Sequence, residues 1–235
     1  MTYLAGSDQF VMGDPKRPQV IAVHRRSVPA FYLDRREVTE AEYFKELPPL
    51  NSVAARKLDL AADEPMRMIS FDAAVAYAEL VGKRLPDEAE YEFAATHGGA
   101  WNYPWGEDAK PIVAWPIGPA GVCEFDRTPD RPPLLGLYSN VAEWTSTWGT
   151  QPYPAPANLG KSTYQKDWRV VRGGAASVIA GQPRPEDFAK NARWRELQLR
   201  YTEGPGLGFR CAKSAFPRTT AADFGSVVSD PPVDD

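Results

Sequence analysis

Few residues in this chain can do redox or metal chemistry, and their spacing limits what they can do together. There are two cysteines, Cys123 and Cys211, and two histidines, His24 and His97. The histidines are far apart and show no metal-ligand spacing, so a histidine-based metal centre within the chain is not expected. One cysteine pair can form one disulfide but is no disulfide framework, and Cys123 reads as a plain reduced thiol. His97, just ahead of Gly98 and Gly99, reads as a helix-end residue near the negative pole of the dipole. Arg172, Gly173 and Gly174 spell an RGG triplet. In an acidic, aromatic-rich chain a single copy fits a bulge or a close backbone approach better than an RNA-binding box. The stretch from Pro183 to Arg200 gathers Arg184, Arg193, Trp194, Arg195 and Arg200 beside Glu186, Asp187 and Glu196. It can be a solvated charged face. It can also be a partner-binding surface anchored by Arg193, Trp194, Arg195 and Arg200, since tryptophan and arginine often carry interface energy. No residue is assigned a catalytic role.

Short elements must position these groups. In GKRLPDEAEYEFAA, Asp87 is placed to N-cap a helix over about 87–96, with Glu90 completing a capping box and Glu88 at the positive end of the dipole. Ala89 and Phe93 then share a face. Ser70 starts a helix over about 70–82, in which Phe71, Ala74, Val75, Ala78 and Val81 recur at helical spacing and Gly82 is placed to end it. Thr39 and Glu42 form a second capping box ahead of a short helix carrying Tyr43, Phe44 and Leu47. Residues 8–34 read as strands with turns, and NVAEWTSTW and WRVVRGGAAS as short strands or extended core segments. GLGFRCAKS reads as a last strand with Leu207, Phe209 and Cys211 on alternate positions. The run PPLNSVAARKLDLAADEP and the proline-rich stretch to Pro133 read as irregular connections. Residues 1–213 are thus expected to form one α+β domain of two main helices and short antiparallel strands, and residues 214–235 a disordered tail.

The whole chain sets outer bounds. With 235 residues and a net charge of −4, it is large enough for a real core and is not expected to bind nucleic acid or anionic membranes in general. No signal-like start and no apolar run long enough to span a bilayer is evident, which leads to the expectation of a cytoplasmic protein. The 23 prolines and 18 glycines predict much irregular backbone, with seven tryptophans and ten tyrosines to pack it.

The segments FVMG, FYLDRREVTEAEY, ISFDAAVAYAELVGKRLPDEAEYEFAA, YPWG, GLYSNVAEWTSTW, RVVRGG and GLGFRC follow one another over about residues 3 to 213. In this order they resemble the formylglycine-generating enzyme family, also called sulfatase-modifying factors, with Asp87 and Tyr91 where threonine and tryptophan are usual. The resemblance implies a modified C-type lectin-like fold with few regular elements and long structured loops. It also implies the chemistry of the family's enzymes, which oxidise a substrate cysteine to formylglycine with oxygen at a pair of copper(I)-binding cysteines shortly before GFRC. In this chain the matching stretch, residues 183–207, contains no cysteine, so copper is not expected. Cys211 matches the structural cysteine of GFRC. Its family partner lies near the start of GKRLP, where Ala78 or a neighbour stands here. Cys211 is therefore expected to be buried and unpaired with Cys123.

Asn140 and Glu143, in NVAEW, resemble the family's calcium-binding segment, because a hard cation takes amide, carboxylate and carbonyl oxygens. The alternative is a turn whose polar groups cap the backbone. The segment is shorter than usual between GLY and NV, with Ala142 where tryptophan is common, and Val113 or Ala114 replaces the asparagine of the second calcium site. Two functions follow from the resemblance. One is a catalytically inactive domain that binds a protein or peptide partner, as a module of a larger signalling protein such as a serine/threonine kinase. The other is a metal-dependent oxidoreductase that draws ligands from another domain, as the family's iron-dependent sulfoxide synthases do.

Overall fold

The computed structural model describes residues 1–16, 22–48, 63–108, 126–149, 167–174 and 191–216. Its helices begin where their capping residues predict. Helix α1 (Glu40–Glu46) and helix α3 (Glu88–Ala95) each carry a complete capping box, Thr39 with Glu42 and Asp87 with Glu90. Helix α2 (Phe71–Leu80) is N-capped by Ser70, and Gly82 beyond its end takes φ 69°, the left-handed conformation that a glycine adopts freely. Phe71, Ala74, Tyr77 and Ala78 form its buried stripe.

Nine short strands build three small sheets among the described residues. In the first, β1 (Thr2–Leu4), β4 (Phe31–Leu33) and β9 (Ala212–Ser214) pair antiparallel, so the two ends of the domain meet. The second is a hairpin-like pair of β2 (Ser7–Met12) and β3 (His24–Val28). The third runs β7-β6-β5-β8, from β5 (Ala142–Trp148), β6 (Trp168–Gly173), β7 (Arg195–Leu199) and β8 (Leu207–Gly208).

Three sequence expectations change here. The strands are not all antiparallel, because β8 runs parallel to β5, pairing Ala142 with Leu207 and Glu143 with Gly208. More than fifty residues separate the two strands, ample for a parallel return. GLGFRCAKS is not one strand but two, β8 in the third sheet and β9 in the first, although Leu207, Phe209 and Cys211 share the core as their alternate positions predict. Leu207 through Ala212 are all buried, since apolar core lies on one side of this segment and a buried ion-pair network on the other. Finally, the described end of the charged stretch is regular: Arg195–Leu199 is an edge strand paired with β6.

The core has two parts. One gathers Phe10, Met12, Phe31, Leu33, Tyr91 and Tyr138 against α3, and the other gathers Phe71, Ala78, Trp144, Leu207, Phe209 and Cys211 against α2. Tyr43 of α1 stacks on Tyr77 at 5.2 Å between centroids, tying α1 to α2. No helix among the described residues is long and apolar enough to cross a membrane.

Candidate functional site

The parallel register of β8 on β5 sets the first cluster. With Glu143 opposite Gly208, Arg210 follows two residues on and reaches back to the Glu143 carboxylate. Arg210 Nε donates to Glu143 Oε2 at 2.7 Å and Nη2 to Oε1 at 2.8 Å, a two-pronged pair with both side chains fully buried. The Tyr91 hydroxyl of α3 donates to Glu143 Oε1 at 2.8 Å. Asn140, at φ 63°, donates from Nδ2 to Glu37 Oε1 at 3.0 Å, and Glu37 Oε2 lies 4.0 Å from Arg210. One guanidinium therefore answers two buried carboxylates. Burial pushes Glu37 up to about 8, opposed by Arg210 and reinforced by Glu143. Burial also raises Glu143, against the pull of the Arg210 charge and its hydrogen bonds. Nearby, burial raises Asp126, although Oδ2 accepts from the Ser139 hydroxyl and from the Tyr138 and Ser139 amides.

The second cluster ties the segment before β7 to the rest of the molecule. Arg172 donates from Nη2 to Glu92 at 2.6 Å and from Nη1 to the Arg193 and Trp194 carbonyls. Arg193 donates to the carbonyls of Gly13, Gly99 and Trp101, and Arg195 Nε to Glu88 Oε2 at 3.1 Å. Asn191 donates to Asp14. The N-terminal hairpin, α3, β6 and the start of β7 thus converge on buried Arg–Glu pairs. Gly173 has φ 71°, and a Cβ there would lie 2.5 Å from the Tyr91 hydroxyl. The RGG triplet marks a close backbone approach.

The sequence-derived candidates sort accordingly. Asn140 and Glu143 do meet in one network, but the positive charge facing Glu143 is Arg210, and both carboxylate oxygens are already hydrogen-bonded. That donor set does not fit a calcium ion, and no group of three or more His, Cys, Asp or Glu side chains able to hold a metal exists among the described residues. Arg193 and Arg195 are corrected from surface anchors to buried ion-pair residues, 6% and 9% exposed. Trp194 is half-buried, with Nε1 donating to Glu196, and Arg200 pairs with Asp72 at the surface. These two are the candidates that stay partly exposed, one at each end of β7. Arg184, Glu186 and Asp187 lie outside the described residues, as do Cys123, Val113, Ala114 and the tail from residue 217.

Cys211 is a free, fully buried thiol in the same core cluster as Ala78. Burial raises its ionisation well above the usual thiol range, with Asp34 adding to the effect. Copper(I) requires paired thiolates, and a lone buried thiol on a core segment does not fit it. His24 on β3 and His97 beyond α3 stand on separate segments, and His97 stacks on Trp101. What sequence reasoning missed is the buried charge: Glu37, Glu88, Glu92, Arg172 and Arg210. The available signal was the arginines set among apolar residues, two in RVVRGG and one in GLGFRC, together with three glutamates crowded on one short helix.

This α+β arrangement of short sheets and three described helices follows solved structures across most of their length. The structure of PvdO from Pseudomonas aeruginosa superposes with TM-score 0.63 at 18% identity, covering 90% of this chain and 93% of that one. Treponema denticola variable protein 1 gives 0.61 at 17% identity, over 91% and 94%. The chain belongs to the sulfatase-modifying factor family, its residues 3–215 matching the sulfatase-modifying factor enzyme 1-like domain. The formylglycine-generating enzyme of Mycobacterium tuberculosis is 36% identical over 66% of this chain and 60% of its own length. A serine/threonine-protein kinase of Chlamydia trachomatis is 30% identical over 86% of this chain and 36% of its own. Hercynine oxygenase of Mycobacterium tuberculosis is 31% identical over 54% of this chain and 33% of its own. The chain spans only 46% of the bovine formylglycine-generating enzyme.

Proposed function

We propose that this domain is a non-catalytic member of its family that recognises a protein or peptide partner, within a signalling protein of the kind its kinase relatives represent. The observation that carries the reading is the thiol inventory. Cysteine oxidation in the family's enzymes needs two neighbouring copper-binding thiolates ahead of GLGFRC, and residues 183–207 hold none. Buried arginine–glutamate pairs rigidify the same region and leave Trp194 and Arg200 partly exposed. A partly exposed tryptophan at the start of β7 suits partner recognition. The likeness to hercynine oxygenase favours a second reading, an oxidoreductase completed by ligands from another domain.

The test is a mass-spectrometric assay with a sulfatase-type cysteine peptide, copper and oxygen, run beside metal analysis of the purified protein. The expected outcome is unmodified peptide and no stoichiometric copper or iron. Peptide turnover that persists in the Cys123→Ser, Cys211→Ser double variant would overturn the non-catalytic reading.

A further inference from the structure

Strand β7 is the outermost strand on its side of the third sheet, and its five residues pair with β6 in one unbroken register, from Leu199 opposite Trp168 to Arg195 opposite Arg172. Two hydrogen bonds fix which way its backbone points. One step beyond the ladder, the Arg200 amide donates to the Asp167 carbonyl at 2.7 Å, so Gln198 and Glu196, at even spacing from Arg200, also turn their backbone groups to β6. On the other side of β6 the Trp168 carbonyl accepts from the Gly149 amide at 2.7 Å, so Trp168 and the opposed Leu199 exchange no bonds. Leu197 and Leu199 therefore point their amides away from β6, and Leu197 its carbonyl as well. The Leu199 carbonyl accepts from the Thr202 amide. Among the described residues no group answers the Leu197 and Leu199 amides or the Leu197 carbonyl.

Sheet edges in folded proteins are normally covered or blunted. The outer side of β9 is covered, since Arg84 and Ala212 exchange backbone bonds at 3.0 and 2.7 Å, and β1 is only three residues long. Along β7 there is no proline and no bulge, and the run from Leu197 to Leu199 carries no charge. Its two faces differ. Leu197 lies opposite Val170 and Leu199 opposite Trp168, which puts all four side chains on one face, with both leucines partly exposed. Glu196 and Gln198 lie on the other face.

Outward amides and a carbonyl at strand spacing match another extended backbone. We infer that the partner adds an extended segment to β7 as a further antiparallel strand, apolar where it lies opposite Leu197 and Leu199 and cationic at the alternate positions beside Glu196. The inference rests on the partner-binding reading above and specifies the form of that partner.

Calorimetric titration of the intact chain with an end-blocked heptapeptide of alternating valine and lysine tests this, together with two N-methylated versions of it. Valines opposite the leucines would exchange bonds with β7, whereas the lysine amides would point away. The parent peptide is expected to bind, methylation of the valine amides to weaken it at least roughly tenfold, and methylation of the lysine amides to leave it unchanged. Leu197→Pro removes an outward amide without touching the β6 ladder and is expected to lose a similar factor, with thermal melting as the control for folding. If that variant does not fold, the methylated pair decides. No binding of the parent peptide at millimolar concentration overturns the inference, as does unchanged affinity in a folded Leu197→Pro variant. A dimer of the chain that Leu197→Pro dissolves would assign the edge to a second copy and overturn it too. Binding indifferent to the position of methylation would remove strand addition and leave peptide recognition standing, whereas turnover of the cysteine peptide would remove the non-catalytic reading alone.

Discussion

Glu37 shows what buried charge does at the scale of one residue. Its carboxyl faces Arg210, Glu143 and the Asn140 amide, and burial moves its ionisation from 4.5 up to about 8. The folded chain therefore holds this proton more tightly than the unfolded chain. The resulting stability is fully present below about pH 4.5 and is lost as pH rises through about 8. Glutamine keeps the oxygen that Asn140 donates to and cannot ionise. Glu37→Gln is expected to flatten the decline in melting temperature across that window, removing a loss on the order of a few kcal/mol. A decline as steep as in the wild type would assign the pH dependence to other groups. Arg195 and Trp194 make the complementary case. Arg195→Glu would set a carboxylate against buried Glu88 and is expected to cost about 3–5 kcal/mol, visible in denaturant unfolding. Trp194→Ala, at a half-buried side chain, should leave the fold intact and weaken partner capture. If Trp194→Ala collapses the domain instead, the outward surface has lost its anchor.

Among the elements, α3 does more than its eight residues suggest. It presents Tyr91 to Glu143, Glu88 to Arg195 and Glu92 to Arg172, so both buried clusters hang on its orientation. That orientation begins at the N-cap. Asp87 accepts from the Glu90 amide at 2.7 Å, while the Glu90 carboxylate accepts from the Asp87 amide and pairs with Arg84. Removing the cap frees one end of this arrangement, and Asp87→Ala is expected to cost about 1 kcal/mol, within the range of about 0.5–2 for such caps. Equilibrium urea unfolding reads this directly, and an unchanged midpoint would show that packing alone fixes the helix. The caps were legible in the sequence because they depend on residues three apart. The burial of Glu88 and Glu92 was not, because it depends on arginines some eighty or more residues away in the chain.

For the molecule as a whole, legibility follows the range of the interaction. All three described helices and most strands announce themselves through local capping and periodicity, and the ordered motifs carry the family. The parallel return of β8, the strand Arg195–Leu199 and the Arg210–Glu143 pair arise from contacts between distant segments, which no local pattern encodes. Cys211 reports on how firmly these distant segments hold. It sits beside β9, which closes the sheet with β4 and β1, and it packs with Ala78 of α2 and Phe209 in the second core. Its amide donates to Asp34 and its carbonyl accepts from the Asp34 amide, so its backbone is anchored as well. A reagent can reach this thiol only if the terminal sheet separates from α2. In a Cys123→Ser variant, labelling of Cys211 by a thiol reagent is therefore expected to be slow in native buffer and to share the denaturant dependence of global unfolding. Labelling much faster than global unfolding, with little denaturant dependence, would mean that β9 and its neighbours open by themselves, and that the two ends of the domain form a separable unit instead of part of one cooperative core.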